Sequence, residues 1–316
     1  MLIIDGHCDS ILAEFHAQRS LRDRSAEGHI DIPRLREAGI GGQFFALFTE
    51  DQFVERAYEH TNELLSRVNT LLEQDSRVVG ATQASDIEQA AQQDQTAVVL
   101  AIEGAEPIER DIRRVETFYH SGVRLMTLTW NRRNAVARGI GTEGTDGLSG
   151  FGAEVVAAME ELGMIVDVSH LSDTSLNDVL KRVTCPVVAS HSNARAIHDH
   201  PRNLWDEQLQ AIAATGGLIG LTFPGVFIDG DPKKVTLDRA LEHLEHMIEV
   251  AGADHVGIGS DFDGFTAPYG LVMPDCTGLP QVAEALRRRG YPAETVEKIM
   301  GRNWLRVLRA MHTGTD

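Results

Sequence analysis

His7 and Asp9 stand two residues apart at the end of a short apolar run, Leu2-Ile3-Ile4-Asp5-Gly6-His7-Cys8-Asp9-Ser10. If that run is a strand continuing to Asp9, the alternation of side chains puts both on one face. An imidazole and a carboxylate placed together can hold a divalent metal such as zinc. A His-x-Asp this short is, by itself, more often a surface or turn pair. It gains weight because later strand-like runs end in the same kinds of residue. Glu103 closes AVVLAIE, His170 closes MIVDVSH, His191 closes PVVASH and Asp261 closes HVGIGSD.

Any one of these has a structural explanation, since a single His170 or His191 is more often a hydrogen-bonded core histidine. Together, three histidines and three carboxylates at strand ends point to a metal site. The ligand count suggests two ions: His7 and Asp9 can hold one, His170 and His191 the other, with Glu103 bridging. Two ions roughly 3.5–4 Å apart would share a water, lower its pKa and polarise a carbonyl. Asp261 is then a proton acceptor beside that water, and amide hydrolysis is the expected reaction.

Elements must bring these residues to one place. Apolar, β-branched runs recur with helical segments between them. Strands are expected at 2–9, Gly42–Thr49, Ala97–Glu103, Val123–Thr129, Met164–His170, Pro186–His191, Gly217–Thr222 and His255–Asp261. Leu64, Leu65, Val68, Leu71 and Leu72 mark a long amphipathic helix over residues 53–74. Pro107 is placed to open a helix running to about His120. Two or three helices close the chain from about Gly278 to Met311. Eight strands alternating with helices, most of them nearly continuous in apolar residues, predict a (β/α)8 TIM barrel of the α/β class, in one domain spanning 1–316, with additional C-terminal helices. An open doubly wound sheet would require a phosphate-binding glycine turn directly after the first strand, and there is none. In a barrel the strand C-termini share one mouth.

Composition is that of a globular protein, with 42% apolar and 24% charged residues over 316 positions. A formal net charge of −18 argues against nucleic acid or an anionic membrane as partner. The three cysteines, Cys8, Cys185 and Cys276, are far apart, which suits neither a disulfide framework nor a thiolate zinc site. With no signal-like segment and no apolar run approaching ~18 residues, a cytoplasmic location is expected.

At these same residues the sequence resembles the membrane dipeptidase (renal dipeptidase) family, within the metal-dependent amidohydrolase barrels. The likeness runs through DGHCDS, AIEGAEPI, LTW-N, GLSGFG, DVSH, SHSNARAI, HPRNL and IGSDFDG. It implies two zinc ions per chain and cleavage of free dipeptides, L-Xaa-D-Xaa included, with manganese or cobalt also suited to the ligands. By motif, His7, Asp9 and Glu103 resemble the ligands of the first zinc, and Glu103, His170 and His191 those of the second. Arg202 in HPRN matches the arginine that grips the substrate carboxylate, and Asp261 the aspartate of the eighth strand. A homodimer is implied in the same way. This chain departs from the renal type at Trp130, where that type carries a histidine. Trp130 therefore either lines the substrate or packs the barrel rim. Two other functions stay open: an amidohydrolase of cyclic amides or N-acyl amino acids, and a non-catalytic binding protein on the same barrel.

Several other features compete for attention. Gly139-x-Gly141-x-x-Gly144 fits a dinucleotide fingerprint on paper, but it lies ten residues past its strand, so a mobile loop over the mouth is the better reading. His198-Asp199-His200 is expected to shape the position of Arg202. His243 and His246, three apart among glutamates, read as a solvated helix face. Arg132, Arg133 and Arg138 form either a solvated loop or a substrate-facing patch.

Overall fold

The computed structural model describes residues 1–265 and 271–312. Among the described residues nine strands form one sheet: β1 (Ile3–Cys8), β2 (Ile40–Phe48), β3 (Val78–Ala81), β4 (Thr96–Glu103), β5 (Val123–Thr127), β6 (Ile165–Asp167), β7 (Val187–Ala189), β8 (Leu218–Leu221) and β9 (Val256–Ile258). Their order is β2-β1-β9-β8-β7-β6-β5-β4, and a further pairing of β2 with β4 closes the ring. Every pairing is parallel. Eight strands therefore make a closed (β/α)8 barrel, as the sequence predicts.

The ninth strand, β3, is additional. It pairs with Thr96–Val99, the first half of β4, while β5 takes Leu100–Glu103 on the same edge. Four residues containing a glycine give too short an apolar signal to read from sequence. Two helical expectations are also corrected. The segment after Phe48 is a 3-10 turn over Asp51–Arg56 before the helix Ala57–Gln74 begins. Pro107 opens only a 3-10 turn, because Glu109 and Arg110 both take left-handed backbone (φ 46° and 64°) that ends it. The helix there starts afresh at Arg113 and runs to His120.

The barrel interior is a cluster drawn from seven strands: Ile4, Phe44, Val99, Leu125, Ile165, Val188 and Leu218. Its plug comes from the helix Asn303–His312. Trp304 of that helix is fully buried, lies 4.7 Å from the Phe44 ring and donates its indole N–H to Ile258 O at 2.9 Å. A Cβ at Gly6 would collide with the Trp304 ring, so glycine is required where the plug meets β1. A buried ring of this size stabilises by about 3–5 kcal/mol over alanine. The second, larger cluster lies between the strands and the outer helices. Among the described residues no helix is long and apolar enough to cross a membrane.

Candidate metal centre

The apolar runs that pointed to the site overshoot the strands that carry it. Glu103 ends β4, but His170 lies three residues past β6, His191 two past β7 and Asp261 three past β9. His170 and Asp261 sit in left-handed backbone, with φ of 65° and 63°. Non-glycine residues adopt that conformation only where the surroundings impose it, and here it marks the sharp turns leading out of the strands. β1 carries a register irregularity between Asp5 and Cys8, so strict alternation does not explain why His7 and Asp9 meet. They meet nonetheless.

His7 Nε2 lies 3.3 Å from Asp9 Oδ2, 3.5 Å from Glu103 Oε2 and 3.8 Å from Asp261 Oδ1. On the other side, Glu103 Oε1 lies 3.0 Å from His170 Nε2 and 3.9 Å from His191 Nε2. The two oxygens of one carboxylate thus face different histidines, although the His7 and His191 rings are themselves 3.9 Å apart. Donor atoms of His7, Glu103 and His191 fall within 4.8 Å of one another, as do those of His7, Asp9 and Asp261. Asp261 therefore stands closer to the His7 donor set than a group serving only a nearby water would need to.

The residues fit a cation. Both ring nitrogens of His7 and Asp9 Oδ1 are buried with no hydrogen-bond partner, which is costly unless an ion takes them. Burial opposes charge on His7, but the Glu103 and Asp9 carboxylates outweigh it and hold its pKa well above the usual value. Burial and the nearby Glu103 carboxylate push Asp9 up to about 7. Burial likewise raises Asp261, with Asp9 and Glu103 adding to the rise. His170 is pushed down to about 4 by burial and then by Arg202, and burial also holds His191 well below its usual value. The last two are neutral imidazoles with a lone pair to give. The carboxylates are crowded enough to repel one another.

Partners behind the histidines fix which nitrogen carries that lone pair. His170 Nδ1 lies 2.8 Å from Asn131 Oδ1, an acceptor, so the proton sits on Nδ1. Ser190 Oγ donates to Asp167 Oδ2 at 2.6 Å, leaving its own lone pair for His191 Nδ1–H at 2.7 Å. Thr127 Oγ1 also donates to Asp167, at 2.6 Å. This is the support that metal-binding histidines require. Asn131, Ser190 and Asp167 were not identified from sequence, although each lies within three residues of a residue that was.

The glycine-rich stretch braces this arrangement. Ile140 N donates to His170 O at 2.8 Å and Gly141 N to Asn131 O at 2.7 Å. A Cβ at Gly139 would strike the backbone of Trp130, Asn131 and Arg132. Its role is close backbone approach, and the expectation of a mobile loop gives way to a clamp. The arginines beside it are committed within the fold: Arg132 to Glu106 and Asp51, Arg133 to Asp146, and Arg138 to backbone carbonyls of Thr142 and Asp146.

Arg202 is 7% exposed, and its Nε is buried without a partner. Burial lowers its pKa to about 10, which leaves it charged at neutral pH. One terminal nitrogen donates to His191 O at 3.2 Å, and the guanidinium lies 5.3 Å from the Phe227 ring. As expected, His200 shapes its position: Nδ1 accepts from Arg202 N at 3.1 Å. The expectation of a solvated helix face fails for His243, which is fully buried and bonded to Ile228 O at 2.9 Å. His246 is partly buried and paired with Asp206 at 2.8 Å.

Above the cluster lies a cavity of about 220 Å³ whose walls include Phe48, Trp130, Phe227 and Phe265, with Asp9, Glu103, His170 and Asp261 at its base. Trp130 packs 5.2 Å from Phe48 and 6.1 Å from His170, ring to ring. It is thus both rim packing and cavity wall. A more open groove of about 480 Å³ beside Glu242, Glu245 and Glu249 lies away from these residues and gathers no comparable set.

Comparison with known proteins adds to this geometry. The family model described as membrane dipeptidase (peptidase family M19) matches residues 1–315. Dipeptidase tcpJ of Claviceps purpurea (strain 20.1) is 31% identical over 325 residues, covering 96% of this chain and 76% of its own length. An uncharacterized protein in the pqqA 5' region of Klebsiella pneumoniae is 37% identical over 235 residues, covering 72% of this chain and 86% of its own. Among solved structures, a metallo peptidase from Rhodobacter sphaeroides, liganded with a phosphinate mimic of the dipeptide L-Ala-D-Ala, superposes with a TM-score of 0.90. It is 28% identical, with 98% of this chain and 99% of that chain covered.

Proposed function

Because the chain belongs to the membrane dipeptidase family, peptidase family M19, and is accordingly a metal-dependent dipeptidase, we propose that it works as a binuclear zinc enzyme on free dipeptides, L-Xaa-D-Xaa among them. The observation that carries the binuclear reading is Glu103, whose Oε2 faces His7 and whose Oε1 faces His170 and His191. In this reading His7, Asp9 and Glu103 would hold one ion, and Glu103, His170 and His191 would hold the other. Bound there, zinc would lower the pKa of a water and polarise the scissile carbonyl.

The remaining work falls to the chain's own groups. Arg202 takes the substrate carboxylate through its unpartnered Nε and a terminal nitrogen, a two-point contact that orients the peptide. Asp261 accepts a proton at a carboxylate oxygen and returns it to the leaving amine. Phe48 and Trp130 wall the cavity against bulk water and limit what fits. The same reading takes residues 1–316 as a single domain acting in the cytoplasm, with a homodimer expected on family grounds.

Metal content per chain, measured alongside turnover of L-L and L-D dipeptides and of their N-acylated and C-amidated forms, tests the proposal. Two zinc ions per chain and hydrolysis confined to free dipeptides are expected. Preference for N-acyl amino acids or cyclic amides would overturn the substrate assignment, and one metal at full activity would overturn the binuclear one.

A further inference from the structure

Beside the metal cavity lies a second cavity of about 420 Å³ whose lining includes His16, Glu27 and Glu50. The two share Asp9, Leu12 and Asp263, so they are neighbouring chambers on one side of the mouth. We propose that this chamber receives the side chain of the amino-terminal residue of the dipeptide, and that it selects a cationic one, lysine or arginine. The proposal rests on the dipeptidase reading and names the substrate class for it.

The barrel's own order gives the direction. In the closed ring β2-β1-β9-β8-β7-β6-β5-β4, strands β7 and β2 are four steps apart either way and so lie across the mouth from each other. Arg202 lies on the loop that follows β7, and Glu50 on the segment that follows β2. A dipeptide whose carboxylate is held by Arg202 and whose carbonyl lies over the central donors must point its amino-terminal residue toward β2. His16 and Glu27, from the loop between β1 and β2, meet it there.

Reach and charge both fit. Phe48 is the register partner of Glu103 and lines the metal cavity. Glu50 lies two residues further on in extended backbone (φ −64°, ψ 155°), and residues two apart in such backbone share a face. Two residues of extended chain span about 7 Å, close to the length of a lysine's four-carbon stem. Arg19 also lines the chamber, but it is already paired with Asp263 at 2.5 Å and with the Ile30 carbonyl. Glu27 makes no ion pair among the described residues. Among the described residues the Glu50 carboxylate is bound only by His16, at 2.8 Å, and by Gln52, at 3.4 Å. The carboxylates therefore set the sign of the chamber.

The test compares L-lysyl-, L-norleucyl- and L-glutamyl-alanine, with alanine of either hand, on the zinc-loaded enzyme and on Glu27→Gln, Glu50→Gln and the double variant. Norleucine matches the lysine stem without its charge. Lysyl should exceed norleucyl in kcat/KM by at least about threefold, mostly through KM, as half-exposed ion pairs allow. Glutamyl should be the poorest, and the lysyl-to-norleucyl ratio should fall toward one in the double variant. A wild-type ratio near one, a ratio unmoved in the double variant, or a preference for glutamyl overturns the inference and leaves the dipeptidase reading standing. Turnover of none of the three overturns both.

Discussion

His170 Nε2 and His191 Nε2 lie 2.8 Å apart. Asn131 and the Ser190–Asp167 pair hold the proton of each ring on Nδ1, so both lone pairs point into the same gap. Two such lone pairs at that distance repel unless a proton or a cation lies between them. The direction of both lone pairs is set by groups on the far side of each ring.

Asp167→Asn should therefore weaken metal binding on the His191 side by about 10- to 100-fold, the usual effect of removing such support. Competition with a chelator, read as zinc per chain, is the measurement. Ser190→Ala should act in the same direction. Unchanged affinity in both would mean that His191 keeps its tautomer without them.

Glu103→Gln should lose at least one metal and activity together. A neutral amide is a poor bridge between two cations, and the His7 and His170 sets would no longer share a negative charge. Two zincs per chain with full turnover in this variant would remove Glu103 from the mechanism.

Asp261→Asn should keep most of its metal and lose catalysis by at least ~100-fold. Because Asp261 Oδ1 lies 3.8 Å from His7 Nε2, the metal analysis decides between two roles. Loss of an ion would make Asp261 a ligand. Asp263 is no substitute, since its carboxylate is taken by Ser10 Oγ at 2.6 Å, Arg19 at 2.5 Å and His29 N at 2.7 Å.

Loading the metal at pH 7 should release protons. In the metal-free protein His7 is held protonated by Glu103 and Asp9 against the opposing effect of burial, and Asp9 titrates near 7. A cation displaces those protons. His170, pushed down to about 4, is already neutral and contributes none. Calorimetry in buffers of different ionisation enthalpy should report roughly one proton or more per chain. Activity should fall as pH drops below neutrality, where protons on His7 and Asp9 compete with the metal, while His170 stays neutral until about 4. Metal uptake at pH 7 without proton release would contradict the charge state assigned to His7.

Arg202→Ala should cut kcat/KM for free dipeptides about 10- to 100-fold, the worth of a charged hydrogen-bonded contact. Most of the loss belongs in KM, since the contact exists before and during bond cleavage. Dipeptide amides should be poor substrates and nearly indifferent to the change. Equal losses for amides and free dipeptides would move the carboxylate elsewhere. Arg195 could not take it without releasing the Asn203 and Pro201 carbonyls that it now holds.

The barrel was legible because parallel strands buried on both faces read as unbroken apolar runs. The candidate donors were legible because those runs end in them, and the structure brings their side chains together. Asn131, Ser190 and Asp167 were harder, because a small polar residue near a strand end has many ordinary uses. Only the distances to His170 and His191 single these three out. Trp304 was invisible for a different reason: nothing in a C-terminal amphipathic helix says that one of its rings enters the barrel.

That ring ties the ends of the described chain together in time as well as in space. Gly6, next to His7, is shaped to meet Trp304, with nearly the whole sequence between them. On a ribosome, His7 is made early and waits for its floor until Trp304 has been added. A nascent chain thus carries the candidate donors His7 and Asp9 long before the ring that packs against Gly6 exists. Packing against Gly6 therefore belongs after synthesis has passed Trp304, since the ring that fills the space beside that glycine is not there before.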